Sequence, residues 1–340
     1  MISRVTILDI ARELNITAAT VSRALNNHSA IRDSTKKLVH QMAEKLQYQP
    51  NKIASSLRLG RSNIIGVIIP SAEISFFGSV VHGIEKIANQ HNYNLLIYQS
   101  NELYEFEKKG VQTFLQSRVD GVIASITKET LNLDHYAAIR RQGVPLVLFD
   151  RTSDDLEVSS VVVDDYAGAF AATRHLIEQG CTRIAHIGGQ QHVGIFHQRL
   201  NGYTDALNAH NIAVDEDLIV YGKVSVDSGR SCMQYLLTEG ITPDGVFAVE
   251  DFTALGAMQS IRESGLRIPE DIAIIGFANE AFGEYLTPSL STVNQQTARM
   301  GEVAAELFFE LPIHPYSENF IPKKLVLQPQ LVVRQSTARR

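Results

Sequence analysis

The chain has 340 residues, of which 44% are hydrophobic and 20% are charged, and its formal net charge is −6. This length is too great for one ordinary core and suits a small domain followed by a larger one or two. No run of about 18 apolar residues occurs, which excludes a helical membrane protein, and no signal-peptide core is visible, so we expect a cytoplasmic protein. The two cysteines, Cys181 and Cys232, form no Cys-x-x-Cys motif, so neither a disulfide framework nor a zinc site is indicated.

The charge is distributed unevenly along the chain. Residues 1–62 contain ten Lys or Arg and four Asp or Glu, a net charge of +6, whereas the remaining residues carry −12. A basic segment attached to an acidic body is typical of a protein that binds nucleic acid with the segment and keeps its body away from phosphate. The composition therefore favours a nucleic-acid-binding N-terminal unit.

The first predicted elements are two short helices joined by a turn. Apolar residues recur at helical spacing over residues 7–14 and again over residues 21–25. Thr6 and Thr17 are suited to cap the two helices. Two such helices joined by three or four residues form a helix-turn-helix, whose second helix enters the major groove of DNA. A small helical hairpin without a ligand is the alternative.

A third helix is predicted over residues 33–46, and the stretch YQPN ends it. From residue 63 onwards, strands alternate with helices, which predicts an α/β fold of two parallel sheets of about five or six strands each, covered on both faces. Ligands of such folds bind beyond the carboxyl ends of the strands, so we expect a cleft there. The predicted strands are 64–69, 94–98, 121–124, 145–149, 160–163, 183–188, 218–220, 245–249, 272–277 and 324–333, and the predicted helices are 77–91, 102–118, 133–142, 167–179, 199–210, 227–239 and 254–264.

Three segments carry a resemblance to a known family. In order, VTILDIA, TAATVSRALN and YQPNKIASSLRLGRSNIIGV resemble the DNA-binding headpiece and hinge of the lactose/galactose repressor (LacI/GalR) family of bacterial transcription regulators. The resemblance continues to about residue 335. It implies an all-α helix-turn-helix headpiece at 1–50, a hinge helix and linker at 51–62, and an effector-binding and dimerisation domain at 63–340. That domain would contain two doubly wound parallel α/β subdomains like those of periplasmic binding proteins, an N-subdomain of about 63–163 and 294–322 and a C-subdomain of about 164–293 and 323–335.

The resemblance also implies a function. The protein would be a sequence-specific repressor whose affinity for its operator is controlled by a small molecule, a sugar or sugar derivative, bound between the two lobes. Two headpieces of a homodimer would read the half-sites of a near-palindromic operator in double-stranded DNA. The tail STARR is too short for apolar heptads, which favours a dimer over a tetramer. We expect no cofactor and no membrane partner.

The expected DNA contacts lie on the second helix and in the hinge. Arg23 is the expected base reader because a guanidinium can bond guanine through two hydrogen bonds, whereas Ala18 and Ala19 offer only apolar contact. Leu57 matches the hinge leucine that wedges between base pairs in the minor groove. The expected phosphate contacts are Thr6, Asn26 and His28, and the other expected contacts are Thr17, Thr20, Ser22, Asn51 and Ala54.

The expected effector contacts end strands or begin the following loops. Arg199 matches the effector-binding arginine of the family, its alternative role being an ion pair at a helix start. Its replacement by alanine is expected to abolish the effector response without unfolding the protein. The other expected contacts are Phe77, which could stack on a ring, Asp150, Arg151, Asp164, Glu250, Asn279 and Gln295.

Four positions depart from the pattern of the family and leave the identity of the effector open. Ala278 stands where many members carry a ligand-binding aspartate, and Glu250 stands where asparagine is frequent. Val193 and Val224 occupy places where the purine repressor has an arginine and a stacking phenylalanine. These two valines argue against a purine effector.

An enzyme and a secreted binding protein are the competing classes. The chain lacks the phosphate-binding motifs G-x-G-x-x-G and G-x-x-x-x-G-K-[ST] and the nucleophile motif G-x-S-x-G. The carboxylate pairs at 154–155 and 164–165 are explained as well by helix capping, so we predict no catalytic residue and no enzyme. A solute-binding protein or a sugar-processing enzyme with the same α/β body is the alternative. His192 and His197 lack a third ligand nearby, so no metal site is expected.

Overall fold

The structure, a computed structural model, describes residues 5–48, 61–312, 315–316 and 320–339. The expected hinge contacts Asn51, Ala54 and Leu57 lie outside these residues. The chain divides into two compact units, Met1–Ser62 and Asn63–Arg340. None of the described helices is long and apolar enough to span a membrane.

The described part of the first unit folds into the helices α1 (Ile7–Leu14), α2 (Ala18–Leu25) and α3 (Asp33–Lys45). Asn15 ends α1 in the left-handed conformation, with φ 53° and ψ 42°, which asparagine adopts more readily than most residues. The predicted helix-turn-helix is confirmed. Each helix contributes two buried side chains to one small core: Ile10 and Ala11, Val21 and Ala24, and Val39 and Ala43.

Side-chain hydrogen bonds define where the first two helices begin. Thr17 Oγ1 accepts a hydrogen bond from the backbone N of Thr20 at 3.2 Å and thereby caps α2. The Asp9 carboxylate accepts hydrogen bonds from Thr6 N at 2.8 Å and from Thr6 Oγ1 at 2.7 Å. These bonds from Thr6 lower the pKa of Asp9. The Thr17 cap therefore fixes where α2 begins, and the small core fixes which side of α2 is buried.

The second unit alternates strands and helices as the sequence predicts. In chain order its elements are β1 (Ile64–Ile69), α4 (Ser75–Gln90), β2 (Asn94–Gln99), α5 (Tyr104–Ser117), β3 (Gly121–Ala124), α6 (Asp134–Arg141), β4 (Leu146–Phe149), β5 (Ser159–Val163), α7 (Asp165–Glu178), β6 (Ile184–Gly188), α8 (Gly194–Ala209), β7 (Ile219–Tyr221), α9 (Val226–Thr238), β8 (Gly245–Ala248), α10 (Asp251–Glu263), β9 (Ala273–Ile275), α11 (Phe282–Tyr285), β10 (Thr292–Asn294), α12 (Thr297–Glu310), β11 (Lys324–Leu327) and β12 (Gln330–Val332).

The strands form two parallel sheets and one antiparallel pair. The order is β11-β5-β4-β3-β1-β2 in the larger sheet and β7-β6-β8-β9 in the smaller, and β10 pairs with β12. Each parallel sheet is covered by apolar clusters on both faces, as strands buried on both sides require. We call the larger sheet with its helices the first lobe and the smaller sheet with its helices the second lobe.

Helix α12 belongs to the first lobe because it packs closely against α4. A Cβ atom at Gly83 would lie 2.1 Å from the carbonyl oxygen of Ala298, and one at Gly301 would lie 2.0 Å from that of Val80. Glycine at these two positions lets the backbones of the two helices approach. The chain thus returns from the second lobe to the first between β10 and α12.

The structure corrects five parts of the sequence prediction. The smaller sheet has four strands among the described residues rather than five or six. The single strand predicted at 324–333 is two strands, because Pro329 between them has no N–H to donate to a sheet. Strand β11 pairs with β5 in the first lobe, so the assignment of residues 323–335 to the C-subdomain is wrong for β11. Helix α12 was not predicted, and α8 begins five residues before the predicted start at Arg199.

Candidate functional site

Helix α2 buries Val21 and Ala24 and turns its other side outward. The Arg23 side chain on this outward side forms neither a hydrogen bond nor an ion pair with the residues that the structure describes, so its guanidinium is available to a ligand. Six of the expected DNA contacts share this surface: Thr17, Ala19 and Arg23 are exposed, and Ala18, Thr20 and Ser22 are partly buried.

The three expected phosphate contacts are exposed in the same unit. Asn26 Nδ2 donates a hydrogen bond to the carbonyl oxygen of Ser22 at 2.7 Å, and His28 Nδ1 accepts one from Ala30 N at 3.1 Å. The neutral His28 ring therefore carries its proton on Nε2, where it can donate to an anion. Thr6 is held by its bonds to Asp9.

The second unit contains a polar inner cavity at the carboxyl ends of its strands, where the two lobes face each other. The space left in this conformation is about 40 Å³, and a cavity of about 730 Å³ adjoins it and shares Lys128, Asp150, Arg151 and Ile195 with it. The inner cavity is lined by the polar residues Lys128, Asp150, Arg151, Arg199, Glu250 and Gln295 and by the apolar residues Ile74, Phe76, Phe77, Ile195, Phe196, Val224 and Ala278.

Arg199 lies at the floor of this cavity and is held by a buried ion pair. Its Nε and Nη2 atoms lie 2.7 Å from Asp165 Oδ1, and its Nη1 donates to the carbonyl oxygen of Val249 at 2.7 Å. The guanidinium also stacks over the ring of Phe277, 3.7 Å from its centroid. Burial raises the pKa of Asp165 to about 6, although the charge of Arg199 acts in the opposite direction.

The other two cations of the cavity share one carboxylate. Arg151 Nη1 donates to both carboxylate oxygens of Glu102 at 2.9 Å, and Lys128 Nζ lies 3.4 Å from Glu102 Oε1. Burial acts to raise the pKa of Glu102, but the charges of Arg151 and Lys128 outweigh it, and this pKa is lowered. Arg151 also lies over the face of the Phe77 ring.

Three acceptor groups of the cavity have no hydrogen-bond donor among the described residues. Asp150 is 6% exposed, and its closest cation is Arg151, whose Nε lies 3.8 Å away. Glu250 follows β8 by two residues and precedes α10 without capping it through its side chain. Gln295, 3% exposed, buries its Oε1 without a partner. Burial raises the pKa of Asp150, and burial with the nearby Asp251 raises that of Glu250 to about 8.

The structure brings six of the eight expected effector contacts together in the inner cavity: Phe77, Asp150, Arg151, Arg199, Glu250 and Gln295. Asp164 lines the adjoining cavity instead, where its Oδ1 caps α7 by accepting from Ala167 N at 2.9 Å. Asn279 lines neither cavity, and its Oδ1 accepts a hydrogen bond from Arg334 Nη2 at 2.8 Å. These two side chains are therefore placed for roles within the protein.

Sequence reasoning missed Lys128, which follows β3 by four residues, and Glu280. The carboxylate of Glu280, from the second lobe, accepts hydrogen bonds from Ser75 Oγ and from Phe76 N, the latter at 3.2 Å. These donors begin α4 in the first lobe, where the helix dipole favours a negative charge. Glu280 N in turn donates to Asp251 Oδ2 at 2.7 Å. Glu280 therefore links the lobes beside the cavity, a contact between residues about 200 positions apart that no local pattern signals.

The two units together define a class of protein. A helix-turn-helix with an unpaired arginine on its outward face precedes a two-lobed α/β body that encloses a polar cavity. This combination is that of a DNA-binding regulator with a ligand-binding body.

Comparison with known proteins identifies the family. "Bacterial regulatory proteins, lacI family" matches residues 6–51, and "Periplasmic binding protein-like domain" matches residues 173–337. The probable HTH-type transcriptional repressor ExuR of Bacillus subtilis is 33% identical over 339 residues, which cover 98% of this chain and 99% of that protein. The HTH-type transcriptional repressor PurR of Pasteurella multocida is 30% identical with the same coverage. The chain belongs to the LacI family.

Solved structures agree with this assignment. The lac repressor dimer bound to operator and the anti-inducer ONPF superposes with a TM-score of 0.87 at 26% identity, covering 99% of this chain and 100% of that one. The complex of the transcriptional regulator CelR with cellobiose superposes with a TM-score of 0.74 at 29% identity, covering 98% and 100%. The protein is a DNA-binding transcriptional repressor under the control of a ligand.

Proposed function

We propose that this repressor binds a near-palindromic operator as a homodimer and that a sugar or sugar derivative in the inner cavity controls its affinity for that operator. The observation that carries the proposal is the convergence of six polar side chains on a cavity between two lobes, in a chain whose first unit is a helix-turn-helix. The cellobiose complex of CelR supports a sugar as the class of ligand.

In the DNA complex, α2 would lie in the major groove. Arg23 would bond a guanine edge, and Ala18 and Ala19 would make apolar contacts there. Asn26 and His28 would hold the phosphate backbone through the donors described above. Leu57, with Asn51 and Ala54, would contact the minor groove at the centre of the operator, and residues 51–62 would form the hinge.

The cavity would hold the effector by hydrogen bonds at its polar wall and by contact with its aromatic wall. Once the lobes separate, Phe77 would stack on a sugar ring, while Arg199, Asp150 and Gln295 would bond its hydroxyls. Because the free space is small, the lobes must separate to admit a ligand. An effector that prefers one separation of the lobes would shift the population between two conformations and so change operator affinity.

The same proposal includes the oligomeric state and the cellular location of the protein. Two copies would pair as in the lac repressor dimer, so that two headpieces reach the two half-sites together. The protein would act in the cytoplasm, where its operator DNA is, and would bind its effector without catalysing a reaction.

The proposal is tested in two steps. An operator is first selected from random double-stranded DNA with the purified full chain, and a near-palindromic consensus is expected. A thermal-shift screen against monosaccharides, disaccharides, sugar acids, sugar phosphates and nucleosides then identifies compounds that bind the folded state, because these raise the melting temperature. A sugar that raises the melting temperature and changes operator affinity supports the proposal. It is an inducer if it weakens operator binding and a co-repressor if it strengthens operator binding. Failure of every compound contradicts the effector half.

A further inference from the structure

The cations of the inner cavity are already opposed by carboxylates of the protein. Arg199 is paired with Asp165, and Arg151 and Lys128 share Glu102. An anionic ligand would have to compete with these buried or partly buried pairs for the same cations. The positive groups therefore offer little uncompensated charge to a ligand.

The acceptors of the cavity lack donors, and among its donors the buried Arg151 Nε, 3.8 Å from Asp150 Oδ2, also has no hydrogen-bond partner among the described residues. The carboxyl groups of Asp150 and Glu250 accept no hydrogen bond from the described residues, and the buried Oε1 of Gln295 has no partner. A buried acceptor without a donor costs free energy, and a ligand that brings donors removes this cost. Acceptors contributed by both lobes would therefore be satisfied by a ligand rich in hydroxyl or amino groups.

The balance of charge around the cavity points the same way. Three carboxylates, those of Glu102, Asp150 and Asp165, already balance the three cations, whereas Glu250, whose pKa is about 8, is largely protonated at neutral pH. Glu250 is also faced by Asp251 and Glu280 from the second lobe, and Lys128 and Arg199 only partly offset them, so its pKa remains raised. A further negative charge placed beside these groups would be repelled.

We infer that the inner cavity selects an effector that donates hydrogen bonds and carries no negative charge, that is, an uncharged sugar or an amino sugar, and rejects the sugar acid or sugar phosphate with the same skeleton. This inference rests on the proposed function, since it assumes that the cavity is the effector site. It adds the charge of the ligand, which the family resemblance leaves open.

Matched ligands test the inference directly. Thermal shifts of the full chain are measured with glucose, glucosamine, glucuronate and glucose 6-phosphate, and with the corresponding galactose and ribose compounds. In any series that stabilises the protein, the neutral or amino member is expected to bind at least about tenfold more tightly than the acid or phosphate. Tighter binding of an anionic member overturns the inference but leaves the proposed function standing. No stabilisation by any member of any series, together with no hit in the wider screen described above, contradicts both.

A second test measures whether ligand binding changes the protonation of Glu250 in the wild-type protein. A hydroxyl that donates to this carboxyl favours its ionised form, so binding of a neutral sugar at pH 7.5 is expected to release protons. Titration calorimetry in buffers of different ionisation enthalpy measures this release. Glu250→Gln is expected to abolish it and to weaken binding about tenfold, whereas Glu239→Gln, at an exposed site, is the matched control. Proton uptake, or no release, overturns the assignment of Glu250 to the ligand.

Discussion

Replacing Arg199 by methionine is expected to destabilise the second unit, because it leaves the buried carboxylate of Asp165 without its counter-ion. Arg199 is 2% exposed and Asp165 is 6% exposed, so water cannot replace the lost partner. The carbonyl oxygen of Val249 would lose its donor as well. Methionine preserves most of the side-chain volume, so the loss reports on charge and hydrogen bonding more than on a cavity.

The magnitude follows from the burial of the pair. Removing one partner of a buried ion pair costs about 3–5 kcal/mol. Arg230→Met, which breaks the exposed pair with Glu263, is the control and should cost about 0–1 kcal/mol. The double variant Arg199→Met/Asp165→Asn should recover part of the loss, because no charge is left unpaired.

The assay is urea unfolding at pH 8 and at pH 5. Burial raises the pKa of Asp165 from 3.8 to about 6, so its carboxylate is charged in the folded protein at pH 8 and largely protonated at pH 5. The stabilisation by Arg199 is therefore present above pH 6 and is lost as the pH falls through it. The penalty of Arg199→Met should be larger at pH 8 than at pH 5. Equal penalties for Arg199→Met and Arg230→Met, or no recovery in the double variant, would refute the reasoning.

Four further predictions concern the operator, the link between the lobes and the response to pH. Leu57→Ala should lose specific operator affinity and keep the salt-dependent non-specific binding, measured by fluorescence anisotropy. Arg23→Ala should cost about 1–3 kcal/mol of operator affinity and relax the preference at one base pair. Glu280→Gln should cost about 1.5–3 kcal/mol of stability and speed hydrogen exchange at the start of α4, because it removes the charge from the hydrogen bonds to Ser75 and Phe76. The pKa of Glu250 is raised from 4.5 to about 8, so between these values the folded protein keeps a proton that the unfolded chain releases. The wild type should therefore lose stability as the pH rises from 4.5 to 8, and Glu250→Gln should lose less.

These predictions are checked by control variants or by contradicting results. An equal loss of specific and non-specific binding would rule out the wedge role of Leu57. Lys45→Ala removes a positive charge elsewhere in the headpiece, so it should lower affinity without relaxing base preference. Glu284→Gln and Glu239→Gln lie at exposed sites, and effects on exchange or pH dependence equal to those of Glu280→Gln and Glu250→Gln would contradict the assigned contacts.

The local elements of both units could be predicted because their signals are local. The caps at Thr6 and Thr17 and the apolar periods of α1 and α2 lie within about twenty residues. The buried strands of the second unit show as continuous apolar runs such as Ile64–Ile69. The missed helix α12 also carries a periodic signal, with Met300, Ala304 and Leu307 buried on one side. This helix could therefore have been predicted from its apolar periodicity.

The arrangement of the cavity could be predicted only in part, because its contacts join distant residues. Arg199 was expected to meet the ligand, but its pairing with Asp165, 34 positions away, shows that Arg199→Ala would remove a structural ion pair as well. The expectation that this substitution leaves the fold intact is therefore replaced by a loss of stability. Asn279 was expected in the cavity, yet its bond to Arg334, 55 positions away, holds it elsewhere.

A ligand in the inner cavity is expected to change the affinity of the repressor for operator DNA. The direct measurement is the dissociation constant of the selected operator, by fluorescence anisotropy at fixed salt, with and without a saturating amount of the sugar that raises the melting temperature. The operator dissociation constant is expected to change at least about fivefold, the lower end of allosteric coupling, with little change in non-specific binding. A sugar that binds tightly while the operator dissociation constant stays the same would contradict this expectation.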